Sequence, residues 1–150
     1  WTRFQAALDR AAVTVLGRLG HEANPNTKGR NRLVLSSSAR GVERRDGAWW
    51  WNPADVPAAE ALAAAAPQGG IAAVPGGRRV FDLFLALRYD AFDLARAEAV
   101  TIPDGVPVFS AVADGASAEA VLAESGLAAS APSVLDHAAQ VSLTVWRGTT

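Results

Sequence analysis

The fold is decided by the stretch Ile71-Ala72-Ala73-Val74-Pro75-Gly76-Gly77-Arg78-Arg79-Val80-Phe81. Its apolar beginning predicts a short buried strand that ends at a glycine pair. Apolar residues at three- and four-residue spacing then predict an amphipathic helix: Val80, Phe81, Phe84 and Leu85. Two residues without Cβ let a ligand approach the backbone closely, and the N–H groups at a helix start bind anions. The stretch therefore predicts a phosphate cradle, and a plain strand-to-helix turn is the alternative.

Length and composition indicate one ordinary globular domain. The chain has 150 residues, half of them hydrophobic, and a net charge of −1, so neither a nucleic-acid partner nor a membrane partner is expected. The absence of cysteine excludes disulfides and thiol chemistry, and the two histidines, His21 and His137, are too far apart in sequence to predict a metal site. No apolar run reaches the ~18 residues of a membrane span and no signal peptide is visible, so a cytoplasmic location is the default expectation.

The first half of the chain alternates predicted helices and short apolar strands. A helix over Trp1–Ala12 precedes a buried strand, Val13–Leu16, which Gly17 ends. A polar stretch, a second buried strand, three serines and a charged loop or edge strand follow, and Asp55 is expected to cap a helix that runs to about Ala66. The segments between the first strand and that helix are Gly20–Arg30, Leu33–Leu35, Ser36–Ser38 and Gly41–Asp46.

The second half predicts mostly strands and turns. In chain order these are the strand Ala91–Ala95, the segment Val100–Ile102 with the turn Pro103–Gly105, a helix from Ser117 to Ser125 closed by Gly126, and the hairpin of Ser133–Asp136 with Val141–Trp146. The early alternation of helix and strand predicts an α/β domain with a mainly parallel sheet. The late strands predict an antiparallel C-terminal hairpin at its edge.

Four segments occur in an order that carries a family resemblance: Val15–Arg18, Gly29–Ser37, Val74–Phe81, and Tyr89–Arg96 leading to Gly105–Phe109. The chain resembles the dihydrofolate reductase-like family, which includes the reductase domain of riboflavin biosynthesis. The resemblance implies a three-layer αβα sandwich and an NADPH cofactor. It also implies that the chain starts inside the first helix of the fold, so that the family's first strand is expected before residue 1.

The resemblance assigns a cofactor role to two groups of residues. Gly17, Arg18, Leu19, Ser36 and Ser37, with Ser38 or Arg40, would hold the adenosine phosphate side of NADPH, since a 2′-phosphate needs hydroxyl or amide donors and a guanidinium. A surface arginine and a polar strand end are the alternatives. The pyrophosphate would lie against Val74, Gly76, Gly77, Arg78, Arg79 and Val80. Two arginines at a helix start oppose the helix dipole, and a bound anion would remove that conflict.

The chain also departs from the family pattern. Leu19 stands where the family has a threonine, His21 stands where it tends to have an aromatic residue, and no carboxylate precedes Asp9. The catalytic residue is therefore unknown. The expected function is an NADPH-dependent reductase that transfers hydride to a pterin-like or ribosylaminopyrimidine substrate. The alternative is a non-catalytic nucleotide-binding or dimerising scaffold, and a homodimer through the terminal hairpin that ends at Trp146 is conceivable by analogy.

Further candidate residues have plainer alternatives. Trp49–Trp51 is either a stacking platform for a sugar or base or, as we favour, a core or dimer contact. His21 is a general acid or base near the cofactor or, as we favour, a polar loop residue. His137 is expected to be solvated in the hairpin loop. The abundance of arginine over a single lysine, Lys28, indicates a GC-rich bacterial genome.

Overall fold

The structure is a computed structural model that describes residues 2–98 and 107–148. The chain divides into two compact units, Trp1–Val80 and Phe81–Thr150, and each unit has its own sheet. The single domain expected from length and composition stays a prediction. The predicted helix residue Trp1 and the predicted segment Val100–Ile102 with its turn lie outside the described residues.

Helices and strands alternate through the first unit. In chain order they are α1 (Thr2–Arg10), β1 (Val13–Gly17), α2 (Arg18–Ala23), β2 (Arg32–Leu35), β3 (Val42–Arg45), β4 (Ala48–Trp51), α3 (Ala58–Ala65) and β5 (Ala72–Ala73). The helix α4 (Arg78–Leu87) begins in the first unit and ends in the second. The remaining elements are β6 (Ala91–Ala97), α5 (Ser110–Ala113), α6 (Ala118–Glu124), β7 (Leu127–Ala129), β8 (Ser133–Asp136) and β9 (Val141–Gly148).

The sheet of the first unit is mainly parallel, as predicted. Its strand order is β3-β4-β2-β1-β5, and every neighbouring pair except β3–β4 is parallel. The apolar run at the start of β1 is buried throughout, and β2 buries Leu33 and Val34 completely. Such continuous apolar strands are typical of a parallel sheet covered on both faces. The edge strand β3 joins β4 through Asp46 and Gly47, which both have positive φ, as a two-residue hairpin turn requires.

The sheet of the second unit is antiparallel. Strand β9 pairs with β6 on one side and with β7 and β8 on the other, which confirms the predicted hairpin of β8 and β9. The hairpin belongs to a separate sheet, so the prediction that it lies at the edge of the parallel sheet is wrong. Because β9 is paired on both sides, Trp146 offers no free strand edge, and the homodimer through the hairpin stays a prediction. Trp146 is buried in a core with Phe92, Phe109, Leu122 and other apolar residues, and its indole N–H has no acceptor among the described residues.

Three local predictions are wrong. The polar stretch after β1 contains α2 instead of only a loop. The strand predicted to be buried before the glycine pair is the two-residue edge strand β5, and Ile71 is 61% exposed. The helix predicted to be capped by Asp55 begins at Ala58 after Pro57, because the Asp55 carboxylate accepts the N–H of Gly41 instead (3.0 Å).

Other predictions are confirmed. Helix α4 follows the glycine pair with Val80 and Phe84 buried. Ser117 caps α6, where its hydroxyl accepts the N–H of Ala120, and Gly126 follows the helix with positive φ. The tryptophan cluster forms β4, and Trp50 and Trp51 are buried, which supports the core interpretation of Trp49–Trp51.

Candidate cofactor site

The carboxyl ends of four parallel strands lie at one edge of the first sheet. Gly17 is in register with Leu35, and Leu35 is in register with Trp51. The residues that follow these strands, Arg18 and Ser36 among them, therefore emerge side by side. In open α/β sheets, ligands bind outside the carboxyl ends of the strands. The sheet thus brings together the segments that the sequence assigned to the adenosine phosphate.

The glycine pair reaches the same edge. A Cβ added to Gly17 would lie 3.8 Å from the Val80 side chain, and one added to Gly77 would lie 3.5 Å from it. Val80 is fully buried between them. The end of β1 and the start of α4 are therefore packed against a single side chain. Gly77 has a φ of +93°, whereas a Cβ on Gly76 would meet no atom of residues 2–98 and 107–148 within 4 Å.

The helix α2 begins directly after Gly17 and presents Arg18 and Leu19. The Arg18 guanidinium forms an ion pair with Glu22 one turn later (3.1 Å), and both side chains are about half exposed. The side chain of Leu19 is 72% exposed, so its apolar surface is left in water where the family pattern has a hydroxyl. An exposed ion pair at this spacing contributes only about 0.3–0.5 kcal/mol, so Arg18 can leave Glu22 for a phosphate at little cost.

The three serines after β2, residues 36–38, form a hydrogen-bonded loop that we call the serine loop. The hydroxyls of Ser36 and Ser38 are 2.7 Å apart, and the N–H of Ser38 donates to the Ser36 hydroxyl (3.2 Å). The backbone N–H of Ser36 donates to Trp51 O (2.9 Å), and the Asn52 amide donates to the carbonyl of Ser37 (3.3 Å). These bonds to β4 and the residue after it hold the loop at the sheet edge.

One residue of this edge was missed by the sequence analysis. Arg45, the last residue of β3, donates from Nη2 to the Ser38 hydroxyl (3.1 Å). Its guanidinium lies 4.1 Å from the centroid of the Trp50 ring, an arrangement that favours a cation. Only the alternation of side chains along the charged segment before the hairpin turn could have indicated this residue.

Four further predicted cofactor residues lie at exposed or half-buried positions. Arg40, Arg78 and Arg79 are exposed, and none of their side chains bonds to another described residue. Val74 is half-buried in the segment between β5 and α4. The first turn of α4 carries no acidic residue, so Arg78 and Arg79 stay uncompensated at the positive end of the helix dipole.

His21 lies on α2, and the prediction of a polar loop residue is wrong. Its Nδ1 is 3.1 Å from a guanidinium nitrogen of Arg32, and its ring meets the Trp50 ring edge-on at 5.5 Å. An arginine only donates, so Nδ1 accepts and the imidazole is neutral. Burial, and then the positive charge of Arg32, lower the pKa of His21 below its usual value. His137 is exposed after β8, at the tip of the hairpin.

Two clefts lie apart from the predicted cofactor residues. One of about 580 Å³ follows β6 in the second unit, between Phe92 and Val112. The other, of about 300 Å³, lies in the first unit beside α3 and β5. Within residues 2–98 and 107–148, no cluster of three histidine or acidic side chains suits a metal ion. No helix in that part of the chain has the length and apolar character needed to cross a membrane.

Solved structures share the fold of this chain. A dihydrofolate reductase from Enterococcus faecalis complexed with NADP(H) and RAB-propyl is 18% identical, with a TM-score of 0.62 over 99% of this chain and 82% of that chain. A putative riboflavin biosynthesis protein from Shewanella sp. PV-4 is 18% identical, with a TM-score of 0.67 over 100% of this chain and 81% of that chain. This chain has the dihydrofolate reductase-like fold.

The likeness confirms the fold expected from the four sequence segments. No protein-family model matches the sequence, and no curated protein matches it either. At 18% identity, the dihydrofolate reductase-like fold is shown by shape and not by sequence. The roles of individual residues in this fold must therefore be argued from their own chemistry.

Proposed function

We propose that the chain is an NADPH-dependent reductase of the dihydrofolate reductase-like family. The observation that carries the proposal is the convergence of Gly17 and Gly77 on Val80, beside the serine loop. A fold neighbour is complexed with NADP(H), which supports a nicotinamide cofactor for this fold. The substrate class we propose is a pterin or a ribosylaminopyrimidine.

The residues at the sheet edge suit the two phosphate groups of this cofactor. Gly76 leaves open space where a Cβ would otherwise stand, so a pyrophosphate could approach the backbone there. The first N–H groups of α4 would donate to it, and Arg78 and Arg79 would supply positive charge. Val74 and Val80 would form the apolar floor of this subsite.

The 2′-phosphate would lie between α2 and the serine loop. Arg18 would turn from Glu22 and bind the phosphate with two parallel N–H bonds. Ser36 and Ser37 would donate hydroxyl and amide hydrogen bonds, and Arg40 would add charge from the end of the loop. Gly17 leaves the end of β1 open beside them, and Leu19 would contact the adenosine without donating a hydrogen bond.

The bound cofactor would supply hydride to a C=N or C=O bond of the substrate. This chain's part would be to bind and orient the nucleotide and to exclude water from the reacting atoms. We assign no proton donor among these residues. Binding without turnover would favour the second function, a nucleotide-binding scaffold.

Nucleotide binding tests the proposal directly. Saturating NADPH should raise the unfolding temperature, since a ligand at a hundredfold excess over its Kd stabilises the folded state by about 2.7 kcal/mol. NADH should raise it less, because NADH lacks the 2′-phosphate. The absence of any shift with either nucleotide would contradict the proposal.

A matched pair of arginine variants tests the assigned site. Arg18→Gln removes a charged hydrogen bond worth about 1.5–3 kcal/mol, so the Kd for NADPH should rise about 10- to 100-fold, with little change for NADH. Arg10→Gln is the control: Arg10 ends α1 before the amino end of β1, at the opposite edge of the sheet, and should leave both affinities unchanged. Equal losses in the two variants would show that the site lies elsewhere.

Turnover distinguishes the two functions. The wild-type chain should oxidise NADPH when dihydrofolate or a ribosylaminopyrimidine is added. The loss of reduced-nicotinamide absorbance measures this oxidation. A chain that binds NADPH with the Arg18 dependence above, yet oxidises it with neither substrate, would be the scaffold.

A further inference from the structure

Arg45 is fixed from three directions. Its guanidinium is stacked on Trp50, its carbonyl accepts the Trp50 indole N–H (3.0 Å), and its Nη1 pairs with Glu43 (3.3 Å). Its Nη2 then reaches the Ser38 hydroxyl (3.1 Å). A guanidinium has five N–H donors, and the contacts to described residues at Ser38 and Glu43 use two of them. The side chain is about one-third exposed, so it is held firmly and still faces solvent.

The bond from Arg45 ties the serine loop to β3. Because a guanidinium only donates, the Ser38 hydroxyl accepts from Arg45, and the Ser36 and Ser38 hydroxyls, 2.7 Å apart, share a further hydrogen bond in which either can be the donor. The Ser36 oxygen also accepts the Ser38 N–H. In either direction, one hydroxyl proton of the Ser36–Ser38 pair is left to donate outward. Each donor in such a chain strengthens the next.

We propose that Arg45 is a specificity-determining residue that prepares the serine loop to receive a phosphate monoester. It binds the Ser38 hydroxyl as a donor and adds a second guanidinium, after Arg18, near the charge of a dianionic phosphate. The inference rests on the proposed function. It assigns to Arg45, a residue outside β1 and β2, the preference for a nucleotide with a 2′-phosphate over one without it.

The neighbouring arginine provides a matched control. Arg44 precedes Arg45 on the same strand, points to the other face of the sheet by alternation, and lies over a different ring, Trp49, at 5.4 Å. Arg44→Gln and Arg45→Gln therefore remove the same charge from the same hairpin. Only the second removes the bond to Ser38.

The experiment compares the Kd values of NADPH and NADH for wild type, Arg44→Gln and Arg45→Gln by titration calorimetry. The Arg45→Gln variant should bind NADPH at least tenfold more weakly and NADH within about twofold of wild type. The Arg44→Gln variant should bind both within about twofold. Arg45→Lys, which keeps the charge but loses the planar fork, should fall between wild type and Arg45→Gln, and it replaces Arg45→Gln in the comparison if that variant does not fold.

The outcomes separate this inference from the proposed function. Equal weakening of both nucleotides in Arg45→Gln, equal effects of the Arg44 and Arg45 variants, or no effect of either would overturn the role of Arg45. Equal affinity of the wild-type chain for NADPH and NADH would support nucleotide binding but refute the specificity role of Arg45. Wild-type chain that binds neither would refute both.

Discussion

The two adjacent glycines before α4 have different reasons to be glycine, so their alanine variants should behave differently. Gly77 has a φ of +93°, a conformation that alanine adopts at a cost of about 1–2 kcal/mol. The added Cβ would be 3.5 Å from Val80, an ordinary contact that adds no further penalty. Gly77→Ala should therefore lower the free energy of unfolding by that amount, which is a fall of ~2–8 °C in unfolding temperature for a chain of this size.

Gly76→Ala should have the opposite character. Gly76 has no positive φ, and a Cβ there meets no atom of the described part of the chain within 4 Å. Restricting the unfolded chain should make the variant as stable as wild type or more stable by about 0.4–1 kcal/mol. The methyl group would instead occupy the space proposed for the pyrophosphate. Loss of one charged hydrogen bond there is worth about 1.5–3 kcal/mol, so the Kd values should rise about 10- to 100-fold.

The assay measures thermal unfolding without nucleotide, and then the affinities for NADPH and NADH. Both nucleotides carry the pyrophosphate, so Gly76→Ala should weaken both to the same degree, unlike the variants at the 2′-phosphate. The reasoning is refuted if Gly76→Ala binds both as wild type does, or if it destabilises the chain as much as Gly77→Ala.

Two further predictions concern stability. Because the pKa of His21 is lowered in the folded state, the unfolded chain binds more protons, and stability should fall as the pH drops through about 6.5. Urea unfolding between about pH 7.5 and 5.5 measures this loss of stability, and His21→Gln should remove much of it. The control variant, His137→Gln at the exposed histidine, should keep it. Parallel curves of unfolding free energy against pH for wild type and both variants would contradict the assignment. Gly70→Ala should destabilise the chain more than Gly69→Ala. Both glycines have positive φ, but of the two only a Cβ on Gly70 would lie 2.8 Å from the Cβ of Ala12. Equal urea midpoints for the two variants would show that this contact relaxes without cost.

The sequence predicts well those elements whose pattern is unbroken. The apolar run of β1, the helical spacing of α4 and the alternation in β9 each match a single structure. The order of these segments also carried the fold resemblance. These signals are local, since each depends only on which residues follow one another.

The missed elements depend on polar contacts of individual side chains and not on a periodic pattern. Helix α2 contains a glycine, which is unfavourable for helices, but the Arg18–Glu22 pair and two bonds from the C-cap residue Asn24 to Gly20 O complete its turn and a half. The cap expected at Asp55 failed because its carboxylate bonds to Gly41, fourteen positions away.

The site was predictable in part for the same reason. Glycines, serines and arginines at strand ends are visible in the sequence, and the sheet register brings Gly17 beside Leu35 as parallel pairing requires. The contact of Arg45 with Ser38 is not visible, because it depends on the pairing of β3 with β4 and on the position of the Trp50 ring.

The buried indole of Trp146 has a spectroscopic consequence. Of the five tryptophans, Trp146 alone lies in the second unit, and its N–H has no acceptor among the described residues. Trp146→Phe removes an unpaired buried donor but fills less of the core, so it should lower stability, and it leaves emission from the first unit only. Subtracting that variant's fluorescence from the wild-type signal isolates the second unit, so denaturant titration of the two chains would reveal whether both units melt in one cooperative transition.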